Sequence, residues 1–406
     1  MRVVVAGAGF AGLMAADRIA RSRHEVIVLE ARDRVGGRVW SAELTPGDPR
    51  TIVERGAEFV LDGYDVMRMV LPEFGLELAD TTMSYYEREP RGGQATTPIE
   101  MLRCSAQLAR AAAEASPGTS LAEIASAWHG SPAALAAIMS RVSATNGVDA
   151  SRLSAASVAG IASDLMPRPS WRVAGGNQQL ADALADRLGQ AVQLRTPVRS
   201  VEHDEDGVRV LTDAGEVSAD AVIVAVPMAV LRRLTFAPLL PEFLPAAWQR
   251  AGLGHNAKLH LPLTAPAAAS AVQSVPERFW TWTATDASGQ VQPVLHAFGG
   301  TEEGLAALGV ASGPATWANR AALLRPELAV DVDRALLTTW NDDPWAGESY
   351  SALTVDDVPG DDQLVGAPVG RVHFAGEHTA GRWAGLMEGA LRSGVRAADE
   401  VLSRWA

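Results

Sequence analysis

The first thirty residues constrain the fold more than any other stretch. Met1 to Ala6 reads as a short buried strand, and Gly7-Ala8-Gly9-Phe10-Ala11-Gly12 follows at once. From Leu13 to Arg21 the spacing is helical, with Leu13, Ala16, Ile19 and Ala20 on one face. Glu25 to Leu29 is a second apolar strand, closed by Glu30. Strand, glycine turn, helix, strand and acid is the order a dinucleotide site requires. Gly7 permits the tight turn, Gly9 lets backbone approach a pyrophosphate, and Gly12 lets helix and strand pack closely. The bare helix N-terminus offers N–H groups and partial positive charge to phosphates. Glu30 stands 18 residues after Gly12, placed to accept hydrogen bonds from ribose hydroxyls. The pattern implies an adenine dinucleotide and leaves NAD or FAD open.

Composition narrows the classes. The 406 residues predict more than one domain, and 48% apolar with 20% charged content is that of an ordinary globular chain. A net charge of −13 argues against a nucleic-acid partner. No apolar run approaches the ~18 residues a membrane helix needs. The first strand begins at the first residue, so no signal peptide is expected. Cys104 is the single cysteine, which excludes an internal disulfide, and nothing suggests a cysteine-based metal site. No metal site is predicted, and the expected compartment is the cytoplasm. Of the 35 basic residues only Lys258 is lysine. Lysine can shift its protonation when buried and arginine cannot, so Lys258 is a candidate for chemistry.

Further along, Gly36-Gly37-Arg38 predicts a loop laid against an anion, and Gly56-Ala57 a break where backbone approaches a flat ring. Residues 64–80 are expected to be helical, ending at Phe74-Gly75-Leu76, and 81–100 to be a polar surface loop. Residues 101–165 read as several short helices broken at Ser116-Pro117-Gly118 and Gly130-Ser131-Pro132. Gly175-Gly176 precedes a helix to about Leu188. Short strands follow at 192–195, 198–203, 208–212 and 216–218, the last three a meander. Ala221 to Val226 reads as a buried strand of the parallel sheet. Strands at 257–263 and 291–298 belong to a second sheet; 301–309 and 316–324 are helical. Trp340 to Ser351 is an aromatic loop. Val372 to Glu377 is strand then glycine turn, leading to a helix from Leu386 to Trp405.

These motifs together resemble the flavin-containing amine oxidases, over nearly the whole chain. The matching pieces are the first glycine turn with Glu30, Gly36-Gly37-Arg38-Val39, Gly56-Ala57, Gly175-Gly176, Thr196-Pro197-Val198, Ala225-Val226-Pro227, Gly254 to Lys258, Trp340 to Ser351, Phe374-Ala375-Gly376-Glu377 and Met387-Glu388-Gly389-Ala390. The resemblance implies an α/β fold: a Rossmann-like FAD-binding domain of GR2 type, from 1–75, 171–238 and 340–406, and an α+β substrate domain, from 76–170 and 239–339. It implies FAD held by Gly7, Gly9, Phe10, Ala11, Gly12, Glu30, Ala31, Arg32, Gly37, Arg38, Gly56, Ala57, Glu58, Val198, Val226, Trp340, Gly376, Glu377, Leu386 and Met387. Within this set Arg38 would contact pyrophosphate, Val198 backbone would meet adenine, and the helix from Met387 would aim its N-terminus at the flavin.

The same resemblance puts Lys258 where the family hydrogen-bonds flavin N5 through a water, and Tyr350 at one wall of the aromatic cage for the substrate amine. Trp340 and Leu386 complete the catalytic set. Leu386 replaces the second cage aromatic, which leaves room for a bulkier nitrogen compound or for desaturation. Ser349 stands where some members link flavin to cysteine, so FAD is expected to be non-covalent. The implied reaction takes a hydride equivalent from the carbon next to nitrogen onto flavin N5, giving an imine, and oxygen then yields peroxide. His296 and His378 are further candidates for the site lining. The implied partners are an amine or other nitrogen-containing small molecule and O2, with neither nucleic acid nor membrane; a homodimer is left open. Two other readings stay open: an FAD-dependent desaturase or dehydrogenase, and a non-catalytic flavoprotein binding module.

Overall fold

The computed structural model describes residues 1–45, 51–160 and 163–404. Its organising element is a five-stranded parallel sheet in the order Val372–Phe374, Ala221–Val224, Arg2–Ala6, Glu25–Leu29, Val192–Gln193. Both faces are covered, which is why these strands are continuous apolar runs. Val3 and Val5 join one core with Leu13 and Ile19 of the first helix (Phe10–Arg21) and Leu391 and Val401 of the last (Met387–Arg404). Val4 points the other way, into a core with Val222, Val224, Phe236, Trp248 and Phe374. The last helix runs to Arg404; the expected end at Trp405 lies outside the described residues.

The expected meander is present. Val198–His203, Val208–Thr212 and Gly215–Ala219 pair antiparallel, and Thr235–Ala237 adds parallel to the first. A six-stranded sheet forms the second framework, in the order Leu336–Thr339, Asn256–Pro262, Val294–Gly300, Phe279–Thr283, Ser270–Ser274, Glu89–Arg91. Helices Pro98–Glu114, Leu121–Ser126 and Pro132–Asn146 enclose a separate core that contains Cys104. Each starts at a Ser or Thr whose side chain caps the first turn, as the broken sequence there implies.

Three expectations are corrected. The helix expected over 64–80 stops early: Asp65–Val70 is α-helical, Leu71–Phe74 is a 3-10 turn ended by Gly75, and Leu78–Asp80 is a strand on Trp171–Val173. The loop expected over 81–100 contains the edge strand Glu89–Arg91 and the start of the helix at Pro98. The strands at 270–274 and 279–283 were not expected.

Candidate active site

The carboxyl ends of the parallel strands open on one cavity of about 410 Å³, where ligands bind in sheets of this kind. The residue turns that follow the strands line it: Gly7, Glu30, Val226 and Gly376. The same cavity reaches the six-stranded sheet at Lys258, Trp280, Trp282 and Phe298. Every residue of the implied catalytic and FAD-binding sets lines it except Gly12. That glycine lies beneath, where an added Cβ would sit 1.9 Å from the Gly7 carbonyl oxygen and 3.2 Å from Val5. Its role is the close helix–strand approach. His296 and His378 do not line the cavity: both are buried, His296 stacked on Trp282 and hydrogen-bonded to His260.

At one end the backbone is prepared for a phosphate-bearing ligand. The first helix has Gly9 as its N-cap, with no side-chain cap bond and no acid in its first turn. Its N–H groups are left to a ligand, and a Cβ at Gly9 would meet nothing within 4 Å. Glu30 is fixed at the rim, accepting from Ala8 N at 2.7 Å and Arg32 N at 2.9 Å. A carboxylate so held keeps lone pairs for two ribose hydroxyls. Arg32 is paired with Asp343 at 2.8 Å. The residues present therefore fit an adenine dinucleotide.

In the middle, Arg38 is tethered by Glu348 at 3.3 Å, Glu377 at 3.2 Å and the Ser349 carbonyl at 3.1 Å. Burial pushes the Glu348 carboxyl up to about 7, with Arg38 opposing and Glu377 adding. Burial would also raise Glu377, but Arg38 and His378 outweigh it and hold it below its ordinary value. The last helix begins at Met387 on the cavity wall. Its Glu388 turns away, accepting from Val66 N and Met67 N, so the first-turn acid does not face a ligand.

At the far end Lys258 is buried. Its Nζ donates to Glu58 Oε2 at 2.6 Å and to the Glu54 carbonyl at 3.0 Å. An ammonium has three donors, so one remains for the cavity. Glu58 is also held by Arg172 at 3.4 Å and Trp282 Nε1 at 3.2 Å. Burial alone would raise Glu58; Lys258 and Arg172 prevail and lower it. Glu58 thus belongs to the cavity wall, as expected, and is also the lysine's counter-ion. Ser349 Oγ donates to Asn256 Oδ1 at 2.7 Å, and Tyr350 OH donates to the Thr145 carbonyl. Trp340 packs edge-on to Trp40 at 6.3 Å.

Sequence reading missed the rest of this wall. Phe59, Tyr85, Trp280 and Trp282 also line the cavity and touch one another, the two tryptophans stacked at 4.2 Å. The signal was Phe279-Trp280-Thr281-Trp282-Thr283, whose period of two puts both indoles on one strand face.

Residues 10–402 match the family of flavin containing amine oxidoreductases. The chain belongs to that family. AofH of Mycobacterium tuberculosis, provisionally named a flavin-containing monoamine oxidase, is 33% identical over 458 aligned positions, covering 98% of this chain and 96% of its own. Putrescine oxidase of Kocuria rosea is 31% identical over 316 positions, covering 65% of this chain and 64% of its own. Among solved structures, a putrescine oxidase bound to putrescine has a TM-score of 0.85 over 100% of both chains at 24% identity. Cyclohexylamine oxidase from Brevibacterium oxydans has 0.84 at 22%, covering 100% and 99%. At these identities the structural likeness is one of fold. This amine oxidoreductase therefore has a Rossmann-like flavin-binding part and a substrate part, and its chemistry is flavin-dependent oxidation at CH–NH groups. Among the described residues no helix is long and apolar enough to cross a membrane.

Proposed function

We propose that the protein is an FAD-dependent amine oxidase with non-covalent FAD, acting on a small-molecule amine or other nitrogen-containing substrate in the cytoplasm. The observation that carries this is the single cavity joining the dinucleotide turn and Glu30 to Lys258 and Tyr350. When bound, FAD would supply the two-electron acceptor for the amine's oxidation, with O2 as the terminal oxidant. The chain's own residues bind and orient. Gly7 to Ala11 present backbone N–H groups to the phosphates, and Glu30 takes the ribose. Val198, Val226, Gly56, Ala57, Trp340 and Gly376 close around the cofactor, and Arg38 answers its pyrophosphate. The helix N-terminus at Leu386 and Met387, on the cavity wall, would favour negative charge on a flavin held there. Lys258 offers its third donor to a water in the cavity. Tyr350 and the neighbouring aromatic rings hold the amine and exclude solvent.

Non-covalent attachment is supported by Ser349, whose hydroxyl is engaged by Asn256, and by Cys104, which is fully buried in the helical core and absent from the cavity lining. We assign the flavin part to 1–75, 171–238 and 340–406 and the substrate part to 76–170 and 239–339. The parallel sheet and meander draw only on the first set, which supports the division; the Leu78–Asp80 pairing with Trp171–Val173 bridges it. The test is to denature the purified yellow protein with acid, spin, and assay peroxide on an amine panel. Yellow supernatant identified as FAD, with peroxide and a carbonyl product, is expected. A yellow pellet refutes non-covalent binding, and desaturated product without carbonyl release refutes amine oxidation in favour of a desaturase.

A further inference from the structure

The register of the six-stranded sheet sets what faces the cavity. Side chains two apart on a strand share a face, and the pairing aligns Lys258 with Phe298 and Phe298 with Trp280. All three line the cavity. Two residues along the same strands, His260 stands opposite His296, and His296 opposite Trp282. Of this second row Trp282 lines the cavity, and both histidines are fully buried behind it.

The histidine pair is polar where two leucines would pack. Its Nδ1 atoms are 3.0 Å apart, so one ring donates and the other accepts. The remaining nitrogen of each ring, Nε2, is buried with no hydrogen-bond partner. Burial holds both rings far below the ordinary imidazole value. His296 and Lys258 add to this for His260, and Arg172 and Lys258 for His296, so both rings are neutral. Two unmet buried nitrogens cost stability, and such groups persist where a site needs them.

What the pair touches is the substrate wall. The His296 ring lies 5.2 Å from that of Trp282 and 13° from parallel. Trp282 stacks on Trp280 with its other face, at 4.2 Å, and donates Nε1–H to Glu58 at 3.2 Å. Glu58 in turn holds Lys258 at 2.6 Å, two residues from His260 on one strand. The contacts close a ring: His260, His296, Trp282, Glu58, Lys258.

We propose that His296, held by His260, is the positioning residue for Trp282: it fixes the plane of that indole, hence the width of the cavity at this wall, and so helps to select which amine is oxidised. This rests on the amine-oxidase reading above. A flat imidazole can lie parallel to the indole, and its hydrogen bond to His260 fixes the ring's rotation. A small apolar residue at 296 would leave the back of the indole bare. The ring then tilts away from the cavity, which widens it and takes Nε1 out of line with Glu58.

The experiment uses the holoenzyme and two amines of different bulk, butylamine and tryptamine. His296→Ala is expected to shift the ratio of their kcat/KM about 10-fold or more toward tryptamine, mainly by raising KM for butylamine. His260→Leu leaves His296 in place without its partner and shifts the ratio the same way by a smaller factor. His260→Gln can again donate or accept, and restores it. A merely structural pair would lower both amines together and leave the ratio alone. A second reading needs no turnover. Two stacked indoles give an exciton couplet in the far-ultraviolet circular dichroism, assigned here by its loss in Trp282→Phe. The couplet is expected to weaken in His296→Ala and His260→Leu and to survive in His260→Gln. An unchanged ratio, or an unchanged couplet, overturns the proposal and leaves amine oxidation standing. If no amine reduces the flavin of the parent protein, the amine-oxidase reading fails, and the couplet still decides whether His296 holds Trp282.

Discussion

Replacing Glu58 by alanine tests whether the wall at Lys258 is an ion-pair network or a chance proximity. The carboxylate lies 2.6 Å from Lys258 Nζ and 3.4 Å from Arg172 Nη1, and all three residues are at most 6% exposed. Removing it leaves two buried cations, one held only by the Glu54 carbonyl and the other by the Thr285 carbonyl and Gln292. Breaking a buried pair from one side costs about 3–5 kcal/mol, because the surviving charge stays desolvated. Glu58→Ala is therefore expected to lose about 4 kcal/mol. Glu58→Gln keeps the shape and one acceptor, and is expected to lose about 2 kcal/mol. Removing the lysine as well relieves part of the strain, so Glu58→Ala with Lys258→Met is less destabilised than the two single costs summed, by about 1–3 kcal/mol.

The assay is urea unfolding of the apoprotein followed by tryptophan fluorescence, with FAD affinity measured in parallel. The pH dependence supplies a second reading. Glu58 is held below its ordinary value in the fold, so the folded state binds fewer protons there than the unfolded chain. Its contribution is complete above the unfolded carboxyl value of about 4.3 and is lost as pH falls through the lower folded value. Glu58→Gln should remove that acid-side loss. A Glu58→Ala variant within about 1 kcal/mol of the parent, or strictly additive single costs, refutes the network.

Other outcomes follow from the same contacts. Gly12→Ala would force a Cβ to 1.9 Å from the Gly7 oxygen, so helix and turn must separate; a loss of about 1–3 kcal/mol and purification without flavin are expected, read by melting and by absorbance. Glu348 titrates near 7 against Arg38, so above that pH its carboxylate competes with pyrophosphate; FAD affinity of the apoprotein should fall between about pH 6 and 8, and Glu348→Gln should flatten the curve. Tyr350→Phe keeps the ring and leaves the Thr145 carbonyl without its donor, for a stability loss of about 1 kcal/mol by urea titration. Lys258→Met removes the donor facing the cavity, and a loss of about 100-fold in kcat is expected by stopped-flow.

What the sequence disclosed and what it hid divide along a physical line. The first thirty residues were legible because a phosphate site needs glycine, helix start and acid at fixed spacing, all within one local unit. Ala221–Val224 was legible because a strand covered on both faces must be apolar throughout. Leu78–Asp80 and Glu89–Arg91 were not, because three-residue strands carry no period of their own; each exists because a distant partner supplies its hydrogen bonds. Glu89-Pro90-Arg91 even contains a proline, tolerated because it lies on the sheet's edge.

The same line runs through the site. Lys258 stood out as the sole lysine, but its counter-ion arrives from residue 58 and that residue's second cation from 172, a convergence no local spacing encodes. Arg88, buried behind the Tyr85 and Trp280 rings, is the extreme case. In the sequence it is one arginine among 34, in a stretch that reads as surface loop. It becomes distinctive only when folding removes its water, sets Trp280 and Tyr85 beside it, and brings its Nη2 no acceptor among the described residues. A buried group with a missing partner is visible only in three dimensions, because an absent contact is a property of the whole packed surroundings.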